Sequence, residues 1–268
     1  MNGANPGGSV KTTVRSLEII DFIQKRDGCS LATLVDELGL AKSTVYKHLC
    51  TLENHGYLVK EDGTYHIGLK FHHRGEYARL RKRGYRLAGR TVHELAERTN
   101  EEVDFVVEND GRVITIHESY HPSHTYHDDH GFSAEDLSQT GTYYRMHYTA
   151  AGKALLSQSD TDRVESIIER WGLPKRTERT ITTRPELYEE LERIRERGYA
   201  IADEEYAAGL RAVGVAVKNP DGSLLGGLSM SVPTYRRESE TFEEEASQLI
   251  REAAADLEDE LAGDEVDG

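Results

Sequence analysis

With 268 residues the chain is long enough for one or two domains with real hydrophobic cores. A hydrophobic fraction of 37% and the lack of any run near the roughly 20 apolar residues of a bilayer span argue against a membrane protein, and two cysteines, Cys29 and Cys50, against a disulfide framework. A formal charge of −15 at pH 7 argues at first sight against a nucleic-acid partner, so the distribution of charge decides.

The stretch from Met1 to Ser9 is small and polar and lacks the basic and apolar parts of a signal peptide, which leads to the expectation of a cytoplasmic protein. Val14, Leu17, Ile20 and Ile23 predict a first helix that Gly28 ends. Leu31, Leu34, Val35 and Leu38 predict a short second helix, and Gly39 breaks it. A third follows with Val45, Leu49 and Leu52 facing inward and Gly56 as its stop. The apolar stretches around Leu58 and Ile67 flank Asp62-Gly63, a hairpin signal. Three helices and a hairpin in so short a span predict a winged helix-turn-helix.

A helix with its apolar positions buried in this way opens Lys42, Ser43, Thr44, Tyr46, Lys47 and His48 to a major groove. Lysine can read guanine or hold phosphate, and Ser and Thr can do either. Lys60, Thr64 and His66 on the wing, and Arg15 near the start of the first helix, are candidates for the flanking backbone. The charge count supports this. Residues 10–75 carry nine Lys/Arg against eight Asp/Glu, and residues 10–83 reach a net of +4, so the acid lies in the C-terminal two-thirds.

Phe71 to Arg86 reads as an arginine-rich linking helix, with a dimer contact or a grip on flanking phosphate as its two open jobs for Arg79, Arg81, Lys82 and Arg83. Beyond it, strands are expected at Val103–Val107, Arg112–Ile116, Tyr199–Ala202, Arg211–Val217 and Leu224–Val232. Helices are expected at Thr149–Ser157, Thr161–Trp171, Pro185–Arg197 and Phe242–Leu261. Hairpins outnumber crossovers, which predicts an α+β domain with a mainly antiparallel sheet. His121, His124, His127 and His130 are spaced by three, with His117 before them. Imidazoles suit transition metals, so a metal-sensing loop is one reading; a solvated surface loop is the preferred one. Gly152-Lys153 is not a phosphate loop, since the upstream glycine is missing, and reads as the start of a packed helix. No nucleophile elbow or metalloprotease spacing occurs, and the expectation is a protein without enzymatic activity or cofactor, an enzyme fused to a DNA-binding unit being the minor alternative.

Several stretches, in order, resemble the IclR family of transcription regulators: Leu38 to Leu49, Leu52 to Leu58 and Tyr65 to Lys70 in the first unit; Met146 to Ala154, Arg197 to Glu205, Gly209 to Arg211 and Leu228 to Pro233 in the second. The resemblance implies a winged helix-turn-helix over 12–73, a linking helix over 74–87 and a GAF-like effector-binding domain over 88–260. It implies homodimers or homotetramers on double-stranded operator DNA and a small-molecule effector, with a sugar, sugar-acid or aromatic catabolic operon as target. The implied effector residues are Thr149, Ala150, Ala151, Gly152, Ala202, Ala212, Ser229 and Ser231. Organic-acid sensors of the family carry Asp and Cys where Ala202 and Ala212 stand, so a larger or less charged effector than a two- or three-carbon oxo acid is expected. Ser229 and Ser231 share one face of a strand, facing either an effector or a packed sheet. The 23 Arg against 10 Lys, in an acidic chain, resemble proteins of halophilic archaea.

Overall fold

The computed structural model describes residues 8–119, 140–235 and 239–263. It divides into two compact units, Met1–Arg79 and Leu80–Gly268.

The first unit contains α1 (Lys11–Lys25), β1 (Cys29–Ser30), α2 (Leu31–Leu38), α3 (Lys42–Asn54), β2 (Leu58–Glu61) and β3 (Thr64–Ile67). The Ser30 hydroxyl caps α2 by accepting the Thr33 N–H at 3.2 Å, and Gly39 closes it in the left-handed conformation at φ 60°. That sharp closure sets up the turn into α3. Asp62 and Gly63, both at positive φ, turn β2 into β3. The sheet order is β1-β3-β2, so the wing is anchored on its inner side by the two-residue β1. Val45, Leu49 and Leu52 of α3 pack with Leu34 and Tyr65 as expected. The stripe expected on α1 is different. Ile19 and Ile23 are buried, whereas Val14 and Leu17 are 39% and 54% exposed. Steps of three residues each fall about 60° short of a full turn, so Val14 and Ile23 end on opposite sides of the helix.

The segment read as one linking helix is two. α4 (Lys70–Leu80) buries no residue, and Arg81-Lys82 separates it from α5 (Arg83–Thr99), which packs into the second unit through Ala88, Val92 and Leu95. The second unit continues with β4 (Glu102–Asn109), β5 (Arg112–Ser119), β6 (Tyr143–Tyr144), a 3-10 turn (Met146–Tyr148), α6 (Ala150–Ser157), α7 (Thr161–Trp171), α8 (Arg184–Arg197), β7 (Ala200–Asp203), β8 (Leu210–Lys218), β9 (Leu224–Pro233) and α9 (Ser239–Gly263). The strands form one antiparallel sheet in the order β6-β5-β4-β9-β8-β7. α5 and α9 cover one face through Val92, Ile250 and Leu257 against Val103, Phe105 and Val213. The 3-10 turn and α6 to α8 cover the other, with Leu155, Ile168 and Leu191 in the core. This is the mixed helical and antiparallel architecture the sequence predicts.

Candidate DNA-reading face and effector pocket

On α3, Lys42, Ser43, Tyr46 and Lys47 are exposed and Thr44 is half-buried. The helix starts after Ala41, whose side chain offers no cap, so its first N–H groups stay available to a phosphate. His48 is less open than its position suggests: its Nδ1 lies 2.8 Å from Ser16 Oγ on α1. His66 is also turned inward, its ring so close to Gly28 that a side chain there would collide. Lys60 is exposed over the Tyr65 ring at 5.1 Å, Thr64 is half-buried at the hairpin, and Arg15 pairs with Glu18 at 2.6 Å. Of the candidates, then, Lys42, Ser43, Tyr46, Lys47 and Lys60 present the most open donors.

The second unit holds a pocket between the sheet and the start of α6. Glycines make it. A side chain at Gly214 would meet the Ala151 nitrogen at 2.5 Å, and one at Gly227 would press on Ala151 at 3.0 Å, so α6 rests directly on the strands. Thr149 caps α6 by accepting the Gly152 N–H at 3.2 Å. The Ala150 and Ala151 ends of the helix, with their positive dipole, therefore border the cavity. The cavity has about 540 Å³ of atom-free space, part of it open to solvent.

Two cross-strand rows form its floor. One runs Glu102, Ser231, Ala212, Ala202; the next runs Asp104, Ser229, Gly214. The structure thus brings Thr149, Ala150, Ala151, Ala202, Ala212, Ser229 and Ser231 to one cavity, with Gly152 behind the cap. It adds what the sequence reading missed: Glu102 and Asp104 on β4, and Tyr206 on the loop between β7 and β8. Ser229 donates to Asp104 at 2.8 Å. Burial pushes the Asp104 carboxyl up to about 7, against the pull of that hydrogen bond. Glu118 rises to about 7 as well, by burial first and then by the Asp104 charge. The readable signal was period two: in Glu102-Val103-Asp104-Phe105 the acids alternate with the apolar residues that face α5 and α9.

The rim is held from α6. Lys153, 1% exposed, reaches Glu205 at 2.5 Å and Glu190 at 3.5 Å. Arg176 donates to the Tyr206 carbonyl at 2.6 Å and lies 4.2 Å from its ring, and Tyr206 meets Tyr144 edge-on at 5.4 Å. Lys153 is thus a buried structural cation at the start of a packed helix and not a phosphate ligand. Among the described residues no group of three or more His, Cys, Asp or Glu is placed to hold a metal. His121, His124, His127 and His130 lie outside the described residues. Among the described residues no helix is long and apolar enough to cross a membrane.

Known proteins match both units. The profile described as IclR helix-turn-helix domain matches residues 12–62, and that described as Bacterial transcriptional regulator IclR C-terminal matches 85–259. A probable HTH-type transcriptional regulator ArcR of Halobacterium salinarum is 31% identical over 246 residues, 91% of each chain, and the acidic, lysine-poor composition fits that halophilic relative. The crystal structure of the Thermotoga maritima IclR is 26% identical with a TM-score of 0.72, over 94% of this chain and 98% of that one. The inducer-binding domain of the PobR transcription factor from Acinetobacter, solved as a double mutant with 3-hydroxybenzoic acid, is 27% identical with a TM-score of 0.57, over 65% of this chain and 96% of that one. With a winged helix-turn-helix, a pocketed antiparallel domain and both profiles in register, the chain belongs to the IclR family of transcriptional regulators.

Proposed function

We propose that the chain is a cytoplasmic regulator without enzymatic activity, binding operator DNA through α3 and the wing and taking a small-molecule effector in the pocket beneath α6, in control of a catabolic operon. The observation that carries this is the pairing, in one chain, of an exposed polar helix face with a cavity bordered by the N-terminal end of α6 and two buried carboxylates. The reading makes Lys42, Ser43, Thr44, Tyr46 and Lys47 the groove-facing set, with Arg15, Lys60, Thr64, His48 and His66 as backbone or supporting contacts. An effector acts only if it binds the DNA-competent and DNA-incompetent states unequally.

The pocket also suggests the effector's chemistry. The helix end at Ala150–Ala151 favours a carboxylate or other anionic group, while Glu102 and Asp104 accept hydrogen bonds from hydroxyls on the same molecule. A hydroxylated acid satisfies both. The PobR ligand, 3-hydroxybenzoic acid, has the same two functions. Ala202 and Ala212 leave their end of the floor apolar and without bulk, so glyoxylate and pyruvate are too small to fill it. Calorimetry is expected to show binding of a hydroxylated aromatic or sugar acid and none of glyoxylate or pyruvate; micromolar binding of either oxo acid overturns the effector reading.

The regulator reading has its own test. Replacing Lys42 and Lys47 by Ala is expected to abolish specific operator binding while leaving ligand calorimetry intact. Unchanged footprints refute the assignment of α3. Oligomers, homodimers or homotetramers, fit the apolar row Val10, Val14 and Leu17, exposed at 62%, 39% and 54%.

A further inference from the structure

Several arginines of the acidic second unit have no acid partner among the described residues; Arg98 and Arg251 are exposed, whereas Arg112 and Arg145 are half-buried. Arg163 pairs with Glu108, Arg170 with Asp110, Arg184 with Glu165, Arg195 with Glu192 and Arg211 with Asp203. Arg112 and Arg145 pair with none among the described residues, and their side chains make no hydrogen bond there. Arg112 Nε and Arg145 Nη1 are buried and unsatisfied. In a chain with 48 acids against 33 bases, carboxylates are the commonest charged neighbours available. The nearest acids on the hairpin are already engaged: Glu108 by Arg163 and the Gly111 N–H, Asp110 by Arg170.

Both guanidiniums instead pack on one indole. Arg112 Cζ lies 4.3 Å from the Trp171 ring and 4.2 Å from Tyr143; Arg145 Cζ lies 4.4 Å from Trp171. Trp171 is itself fixed by donating to the Asp110 carbonyl at 2.6 Å. An aromatic face attracts the cation but does not consume donors, because the N–H groups of a guanidinium lie in its own plane. The rings therefore hold two forks in place with their donor edges unused. Burial pulls Arg145 below the usual guanidinium range, Tyr148 opposing it and the Arg112 charge adding to it.

We infer that Arg112 and Arg145, held on Trp171, form a second ligand site, for the oxyanion group of a small molecule, separate from the effector pocket. The two share no lining residue. Val113 and Tyr144 line the effector pocket, while a distinct small cavity touches Arg145, His147 and Trp171. Arg112 does not line that cavity, which is mostly apolar, so the oxyanion group meets the two half-buried guanidiniums from their open side and not inside a closed chamber. Guanidinium forks match such oxygens two at a time.

Trp171 is the chain's single tryptophan, which gives the site its own signal. The full-length protein is titrated with phosphate, sulfate and acetate against chloride at constant ionic strength while tryptophan fluorescence is read. A saturable change with one or more of the three is expected, and the strongest of them assigns the group. Arg112→Gln and Arg145→Gln are each expected to weaken it at least about tenfold, the loss of one charge-assisted hydrogen bond. Arg145→Lys should fall between. Arg163→Gln, which removes one positive charge beside the same hairpin, should leave it unchanged. Circular dichroism of each variant confirms folding. The inference is overturned if none of the three oxyanions gives a saturable change, or if folded Arg112→Gln and Arg145→Gln respond like the parent.

Discussion

Asp104 concentrates the pocket's chemistry in one side chain. Its carboxyl sits at about 7 in the folded protein against an ordinary 3.8, so the folded state holds the proton more tightly than the unfolded chain does. The empty protein therefore loses stability as pH rises from about 4 to about 7, by on the order of a few kcal/mol. Glu118 shifts the same way and feels the Asp104 charge, so the two acids titrate together. Asp104→Asn should raise the unfolding midpoint at pH 8 and change it little at pH 4, as read by thermal melts. A flat pH profile in the parent would remove the basis for this assignment. A hydroxyl-bearing effector has the opposite dependence: it donates to the ionised form, and its calorimetric affinity should climb between pH 6 and 8. Both trends would originate in the one carboxylate, with opposite signs.

Helix α6 depends on what lies beneath it. Gly214→Val pushes a branched side chain into the Ala150–Ala151 backbone, an overpacking that costs about 1–3 kcal/mol and lifts the helix end from the cavity. Chemical denaturation should show that loss, together with lost effector binding. The sequence carried most elements of this unit, because long strands with alternating apolar residues and turns such as Asn109-Asp110-Gly111 leave strong periodic marks. It did not carry β1 or β6, each two residues long and too short for any period. The break at Arg81-Lys82 was also illegible, since both residues favour helix and only the packing of α5 separates it from α4. The pocket-lining residues around Thr149, Ala202, Ala212 and Ser229 were legible only through family resemblance. Glu102 and Asp104, which that route did not supply, were readable as acids out of step with a buried strand. Arg112 and Arg145 had no such mark, for their meaning is the absence of a partner in space.

Across the molecule, charge is divided by task. Residues 10–75 are nearly neutral while the rest carries −16, so the DNA-reading unit avoids adding to the repulsion from phosphate without being strongly basic itself. Few cations can then exchange for counterions. Arg15, Lys42, Lys47 and Lys60 give a slope of log K against log salt of about −4 per unit if all four touch phosphate, and proportionately less if some read bases. Fluorescence anisotropy on operator DNA across a salt series measures it; a much steeper slope would mean that the arginines of α4 and the segment after it also grip the duplex. The glycine seat of α6 has a wider consequence. Gly214 and Gly227 seat the helix end on the sheet, whereas positions 202 and 212 lie at the far end of the Glu102–Ser231 row and touch no part of that seat. Anchor and selectivity are thereby uncoupled. Such a receptor can be retuned to new metabolites by exchanging two wall residues, while its mainspring, the contact between helix and sheet, stays as it is.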